Sequence, residues 1–217
     1  MDISNIIKSS LSKSASTNSA VSLDKDFIFQ LKKSSNLLIE TFRKNGKVLL
    51  AGNGGSAADC QHIAAEFMGR LNFDREPLPA ISLTANTSNL TCIANDYGYE
   101  EIFTRQLRAL ACENDSLIVY TTSGKSPNII KLVKDARKRV KTIIALTGEY
   151  TDDLSEYCDS VLSVKSSKTT RIQEIHAIAG HIMCECVEET LFNTWIIDNY
   201  WCFFKKTLYL QNTILEE

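Results

Sequence analysis

The sequence has few of the two residues that most often interrupt regular structure. Among 217 residues there are nine glycines and three prolines, and the chain contains no long internal repeat or low-complexity tract. Flexible linkers are usually rich in these residues, so we find no obvious boundary between domains. A chain of this length can bury one full-sized core, whereas two domains would each be small. We therefore predict a single main domain.

An excess of charge of either sign is also lacking. The 24 lysines and arginines nearly balance the 26 aspartates and glutamates, for a net charge of -2. This balance gives no electrostatic reason to expect binding to nucleic acid or to a membrane surface. No stretch reaches the roughly 18 consecutive apolar residues of a membrane span, and the N-terminus lacks the apolar core of a signal peptide.

The cysteine pattern excludes two further classes. Seven cysteines are scattered along the chain, an odd number, with no Cys-x-x-Cys pair. This arrangement is typical of free thiols in a reducing compartment, and it does not fit a disulfide framework or a zinc-cysteine site. We therefore expect a cytoplasmic protein with neither nucleic acid nor membrane as a partner.

Five short apolar strands alternate with segments of helical periodicity. The strands read KVLLAG, PAISLT, SLIVY, KTIIALTG and DSVLSV. Such alternation predicts an α/β fold with a parallel sheet covered by helices, whose ligands lie beyond the carboxyl ends of the strands. We divide the chain into an N-terminal helical or flexible segment (1–22), the α/β domain (23–190) and an aromatic-rich C-terminal extension (191–217). The extension is expected to form an extra helix on the core or on a partner subunit.

The segment TTSGKS (121–126) is predicted to turn from a strand into a helix. A nucleotide-binding loop needs a glycine five residues before Gly124, and Val119 occupies that position. An acidic strand end for magnesium is also lacking, so an ATPase or a nucleotide-dependent kinase is excluded. Two interpretations remain open. The hydroxyls and the helix N-terminus could bind a phosphate, or Ser126 and Pro127 could simply cap and start the helix.

A second turn, at NGGS, opens the helix that contains His62 and Glu66. Alanines follow its glycines, so the segment fails the Gly-x-Gly-x-x-Gly pattern of dinucleotide sites. His62 and Glu66 are four residues apart and therefore share one helix face. They could bind a metal or act as an acid/base pair, or they could be a surface pair that hydrogen-bonds at this spacing.

All three histidines fall in only two predicted helices, the second of which contains His176 and His181. Gln173 and His181 are eight residues apart, so roughly 80° separates them around that helix. Each helix thus offers a histidine and an oxygen donor. Together they indicate a four-coordinate site for zinc or a similar divalent ion, with the ligands His62, Glu66, Gln173 and His181.

Five motifs in this order resemble a known family: GNGGSAADCQHIAAEFMGR, LTANTSNLTCIANDYGYEEIF, TTSGKSPNI, ALTG and RIQEIHAIAGHI. Together, over about residues 20–189, they are similar to the sugar isomerase (SIS) domain of the phosphoheptose isomerase family. The resemblance implies a three-layer sandwich with a flavodoxin-like five-stranded parallel sheet, and a homotetramer with active sites near subunit interfaces. It also implies interconversion of sedoheptulose 7-phosphate and D-glycero-D-manno-heptose 7-phosphate, the first step towards activated heptose for bacterial surface polysaccharide.

The resemblance assigns roles to individual residues. It implies one zinc ion per subunit on His62, Glu66, Gln173 and His181, with Glu66 and His181 as the catalytic acid/base candidates. It implies that the sugar phosphate contacts Asn53, Gly54, Gly55, Glu66, Asn95, Asp96, Thr121, Thr122, Ser123, Ser126 and Gln173. Lys125 departs from the small polar residue common in the family, and it could add a cation near the phosphate or point into solvent.

The implied chemistry needs these residue types. Moving a carbonyl from C2 to C1 requires a base to take a C1 proton, stabilisation of an enediolate, and an acid to reprotonate C2. A residue held tightly by a metal is a poor base, so we expect Glu66 or His181 to loosen its metal contact during turnover. The alternative is a non-catalytic SIS protein, similar to the relative that binds the bacterial replication initiator. That relative lacks counterparts of Glu66 and His181, so their presence here favours an enzyme.

Overall fold

The computed structural model describes the backbone of residues 2–214 and the side chains of residues 2–193. All five predicted strands form, and they pair in parallel in the order β2-β1-β3-β4-β5. This order is that of flavodoxin-like folds, in which ligands bind where the chain changes direction between β1 and β3. The strands are β1 (Val48–Gly52), β2 (Ala80–Ser82), β3 (Ser116–Thr121), β4 (Thr142–Thr147) and β5 (Ser160–Ser163).

The central strands are buried on both faces, as a parallel sheet between helices requires. Every residue of β1, β3 and β4 is buried. Gly52 pairs with Tyr120, and Tyr120 pairs with Leu146. The turns after β1 and β3 therefore begin at the same level of the sheet, and NGGS stands beside TTSGKS.

Helices cover both faces of the sheet, which confirms the predicted three-layer sandwich. One core cluster joins α2, α3 and α8 to the sheet, and a second joins α4, α5, α6 and α7 to its other face. The helices are α1 (Ile3–Leu23), α2 (Lys25–Arg43), α3 (Gly55–Met68), α4 (Thr87–Tyr97), α5 (Thr104–Leu110), α6 (Pro127–Ala136), α7 (Asp152–Ser155) and α8 (Thr169–Ile214), with a 3-10 turn at Tyr99–Glu101.

Both terminal segments are helical. The first forms α1, which buries none of its own residues. The C-terminal extension continues α8, where Leu191 and Phe192 pack against the core. The other aromatic residues of the extension have side chains outside the described residues. None of the described helices has the length and apolar character needed to cross a membrane.

Candidate active site

Three of the four predicted metal ligands come together at the contact between α3 and α8. His62 and Glu66 stack one turn apart on α3, with Nε2 of the histidine 3.0 Å from Oε1 of the glutamate. His181 on α8 brings its own Nε2 within 3.4 Å of Nε2 of His62. One ligand atom from each residue lies within 4.8 Å of the others. The pair on α3 is therefore part of a three-residue cluster and is more than a surface contact.

This donor set fits a divalent cation. Zinc bonds to imidazole and carboxylate at roughly 2.0–2.2 Å, so tetrahedral ligand atoms lie roughly 3.3–3.5 Å apart. The distances of 3.0 and 3.4 Å around Nε2 of His62 are close to that spacing. Two imidazoles and one carboxylate supply three of the four ligands of a tetrahedral zinc site.

Gln173, the fourth predicted ligand, lies at the N-terminal end of α3. Its amide packs so closely on Gly55 that a Cβ at that position would collide with it. Asp59, one turn further along α3, was missed by the sequence analysis. Burial raises the pKa of Asp59, while a hydrogen bond from Gln173 and the neighbouring His62 both act to lower it. Gly55 therefore provides the space that lets α8 place an amide beside this end of α3.

A buried ion pair joins the loop after α3 to α8. Arg75 and Glu188 have side chains only 2% and 1% exposed, and Arg75 Nε donates to Glu188 Oε1 at 3.0 Å. Glu188 also accepts the backbone N–H groups of Leu71 and Asn72. Arg75 in turn donates from Nη2 to the backbone carbonyl of Glu66 at 2.8 Å. The ion pair therefore fixes the backbone that carries Glu66 relative to the helix that carries His181.

The TTSGKS segment forms the predicted turn between β3 and α6. Gly124 has φ +65° and its N–H donates to the buried hydroxyl of Thr121 at 3.2 Å. Ser126 precedes Pro127 at the helix start as predicted, but its side chain makes no capping hydrogen bond. That hydroxyl thus stays available at the positive end of α6, as phosphate binding requires.

Lys125 lies over the ring of Tyr150 with Nζ 4.2 Å from the ring centroid. Tyr150 belongs to the loop after β4, and its backbone carbonyl accepts from the hydroxyl of Thr147 at 3.0 Å. The lysine therefore packs its cation on an aromatic face, an arrangement worth about 0.5–1 kcal/mol at exposed positions. The sequence predicts either a cation near the phosphate or a side chain in solvent for Lys125, and it does not anticipate this contact with Tyr150.

Asn53 is joined to two residues that the sequence analysis missed. Its amide makes two reciprocal hydrogen bonds of 2.9 Å with Asn128, the second residue of α6. Tyr99, in the 3-10 turn, donates its hydroxyl to Oδ1 of Asn53 at 3.1 Å. Asn95 and Asp96 precede this turn on an exposed part of α4 and hydrogen-bond to each other at 2.8 Å. The signals available in the sequence were the asparagine just inside the α6 start and the Tyr-Gly-Tyr string after Asp96.

Two buried polar residues, Tyr120 on β3 and His176 on α8, stay neutral at pH 7. Tyr120 is fully buried, and desolvation raises its pKa well above the ordinary range. Desolvation also lowers the pKa of His176 to about 4, although Nε2 donates to the carbonyl of Thr147 at 3.2 Å. Neither group exchanges protons near neutral pH.

Comparison with known proteins matches both the sequence and the fold. The SIS domain family model matches residues 15–148. The phosphoheptose isomerase of Burkholderia pseudomallei (strain K96243) is 46% identical over 186 residues, which cover 86% of this chain and 94% of that protein. The structure of phosphoheptose isomerase from Neisseria gonorrhoeae is 35% identical with a TM-score of 0.80, and covers 87% of this chain and 100% of its own. That of a phosphoheptose isomerase from Francisella tularensis is 31% identical with a TM-score of 0.82 and the same coverage. The chain belongs to the phosphoheptose isomerase family of SIS-domain proteins.

Proposed function

We infer that this protein is an aldose-ketose isomerase that converts sedoheptulose 7-phosphate to D-glycero-D-manno-heptose 7-phosphate. The observation that carries this conclusion is the cluster of His62, Glu66 and His181, in a chain that also has a hydroxyl-lined strand-to-helix turn between β3 and α6. The similarity to curated phosphoheptose isomerases over most of the chain supports the same activity. It does not support the non-catalytic alternative. We place the reaction at the first step towards activated heptose for surface polysaccharide.

Glu66 is the proposed base. Its carboxylate is about one-fifth exposed, and Oε1 lies 3.0 Å from Nε2 of His62. Taking a proton from C1 leaves negative charge on the substrate oxygens, and returning a proton to C2 completes the transfer of the carbonyl to C1. His181 is the proposed partner acid, because it belongs to the same cluster as Glu66. We expect Glu66 or His181 to loosen its metal contact during turnover.

The proposed cofactor is one zinc ion per subunit, held by His62, Glu66, Gln173 and His181. When bound, such an ion supplies Lewis-acid stabilisation of the charge that develops on the substrate oxygens. The histidine and carboxylate donors that meet here are those that zinc accepts. The amide of Gln173 is the proposed fourth ligand.

The phosphate is proposed to bind the turn between β3 and α6. Thr122, Ser123 and Ser126 would supply hydroxyl donors, and the buried Thr121 would support the turn from beneath. The N-terminus of α6 adds a favourable dipole. The remaining sugar contacts are proposed for the turn after β1 and for the end of α4, at Asn53, Gly54, Gly55, Asn95 and Asp96.

We further propose a cytoplasmic homotetramer. The apolar side chains of Ile3, Ile7 and Leu11 recur every fourth residue of α1 and are 54–72% exposed. An exposed apolar stripe on an amphipathic helix is typical of a surface that packs on another subunit. The proposed domain boundaries stay at residues 23 and 190, with α1 and the end of α8 as extensions.

The direct test is turnover of sedoheptulose 7-phosphate by purified protein loaded with zinc, followed as formation of the aldose. We expect turnover that is lost with a chelator and restored by added zinc. Absence of turnover by a zinc-loaded tetramer would instead favour the binding protein.

A further inference from the structure

The Tyr99 hydroxyl has no role in the mechanism above. It belongs to the 3-10 turn after α4, its side chain is 59% exposed, and it reaches across to Asn53 in the turn after β1. The contact joins a surface segment to the pair formed by Asn53 and Asn128. Asn128 is 2% exposed and is the second residue of α6, the helix that follows the phosphate turn. The pair is therefore well anchored.

Hydrogen-bond capacity shows what Tyr99 does to Asn53. An amide oxygen can accept two hydrogen bonds, and an amide nitrogen can donate two. Oδ1 of Asn53 accepts one from Nδ2 of Asn128 and one from Tyr99, while Nδ2 of Asn53 donates one to Asn128. The oxygen is thus fully used and one N–H remains. Asn53 therefore presents a donor to its surroundings, which matches the oxygens of a phosphate or a sugar hydroxyl.

The same hydroxyl also anchors the segment that carries Asn95 and Asp96. Helix α4 buries only Ile93 fully, with Leu90 and Ala94 partly buried against the core, and Asn95 and Asp96 at its end are exposed. Next to Tyr99, Glu101 forms an ion pair with Lys131 of α6 at 2.9 Å. The hydrogen bond fastens this turn to Asn53 in the turn after β1, and the ion pair fastens it to the middle of α6. The position of Asn95 and Asp96 over the site therefore depends on the attachment of this turn.

We propose that Tyr99 is a positioning residue, which orients the Asn53 amide as a donor to the substrate and fastens the segment of Asn95 and Asp96 over the site. The inference rests on the proposed function, because it takes these three residues as substrate contacts. It predicts a contribution to substrate binding and none to the chemical step. A mutation of this kind raises KM and leaves kcat unchanged.

The test is the substitution Tyr99→Phe, with Tyr97→Phe as the matched control. The control also removes one hydroxyl. The ring of Tyr97, on α4, lies under the guanidinium of Arg105 of α5, with Cζ 3.6 Å from the ring centroid, and phenylalanine keeps that contact. For Tyr99→Phe we expect KM for sedoheptulose 7-phosphate to rise about threefold to tenfold, the factor that corresponds to one neutral hydrogen bond. We expect kcat and zinc content to stay within about twofold of the wild type, the scatter of a neutral surface change.

Hydrogen exchange supplies a readout that does not depend on turnover. We expect faster amide exchange in residues 95–101 of the Tyr99→Phe protein and unchanged exchange in Tyr97→Phe. Equal KM and exchange in both variants would overturn the proposal, as would a fall in kcat with KM unchanged. If the wild-type protein does not convert the substrate, the proposed function fails, and the exchange measurement still decides whether Tyr99 fastens the segment.

Discussion

At the scale of single residues, the environment of Glu66 determines how it can act. The carboxylate is partly exposed and lies 3.0 Å from His62, while the backbone carbonyl of Glu66 is held by the buried Arg75. The backbone is thus fixed by an internal ion pair, whereas the carboxylate itself faces the site. This combination suits a base, which must keep its place and still move a proton.

Substitution Glu66→Gln keeps the size of the side chain and removes its ability to take a proton. Since general-base catalysis contributes about 10²–10⁴-fold, we expect kcat to fall by about a hundredfold or more. Turnover of sedoheptulose 7-phosphate and zinc content should be measured on the same preparation. Glu113→Gln is the control, because Glu113 is exposed and lies just before β3, at the amino end of that strand. Near-normal turnover by zinc-loaded Glu66→Gln protein would show that another group is the base.

His176 makes the free energy of unfolding depend on pH. The pKa of His176 is about 4 in the folded protein, whereas an unperturbed histidine side chain has a pKa of 6.5. Between these values the unfolded chain binds a proton that the folded protein does not, so stability falls as pH drops from about 6.5 to about 4. Over that range the loss amounts to roughly 3 kcal/mol.

Substitution His176→Gln tests this pH dependence, because the glutamine amide can still donate to the carbonyl of Thr147. We expect the wild type to lose about 2–3 kcal/mol more than the variant between pH 7 and pH 4.5. Urea unfolding with chelator, at one protein concentration, gives the comparison and keeps metal binding out of it. Parallel pH profiles for the two proteins would contradict the buried, neutral state of His176.

At the scale of elements, the site depends on how closely α3 and α8 approach. Gly180 precedes His181, and a Cβ at that position would lie 2.6 Å from Cδ1 of Ile63 and 3.0 Å from the hydroxyl of Tyr120. Ile63 itself follows His62. The absence of a side chain at residue 180 therefore lets the two histidines meet across the helix contact.

We expect Gly180→Ala to weaken metal binding about tenfold, the lower end of the effect of losing a supporting contact around a metal. The larger side chain pushes the helices apart, and such overpacking costs about 1–3 kcal/mol. The double variant Gly180→Ala/Ile63→Val removes Cδ1 of Ile63 but keeps Cγ1, which would lie 2.9 Å from the new Cβ, so it should recover part of the affinity. Zinc affinity is measured by competition with a chelating dye. Unchanged affinity in the single variant would show that residue 180 does not control the approach of the helices.

The elements themselves were largely predictable from the sequence. Short apolar runs predicted all five strands, and those of β1, β3 and β4 are continuous because these strands are buried on both faces. The extent of α8 was not predicted, since the aromatic segment after Leu191 was treated as a separate extension. The segment TDDLSEYC gives only the single turn of α7, which packs Leu154 against the core.

The site was predictable where one helix face or one turn carries it. The spacing of His62 and Glu66 placed both on one face of α3, and only three histidines were available to complete a cluster. Asn128, Tyr99 and Asp59 were missed because their roles come from contacts between elements far apart in the sequence. A single asparagine at a helix start or a tyrosine after a glycine has many ordinary explanations.

At the scale of the whole molecule, α1 is the feature that one chain does not explain. It is a helix of 21 residues with none buried. It is held to α8 mainly through polar contacts, in which Arg171 donates to the carbonyl of Ser10 and Ser14 donates to Glu174. Most of the stability of a helix in a protein comes from packing an apolar face. The single chain leaves that face uncovered.

We therefore expect the apolar stripe of α1 to hold the proposed tetramer together. The double substitution Ile3→Glu/Ile7→Glu replaces two apolar side chains with charged ones. In the single chain Ile3 is 72% exposed and Ile7 is 54% exposed. Burying unpaired carboxylates in a subunit contact is costly, so the variant should sediment as a smaller species than the wild type at equal concentration. Ser16→Glu/Ser19→Glu adds the same charge on the opposite side of α1 and should leave the sedimentation of the protein unchanged. Identical sedimentation of all three proteins would exclude this stripe as the subunit contact, because two charges on each copy could not be accommodated there without loss of association.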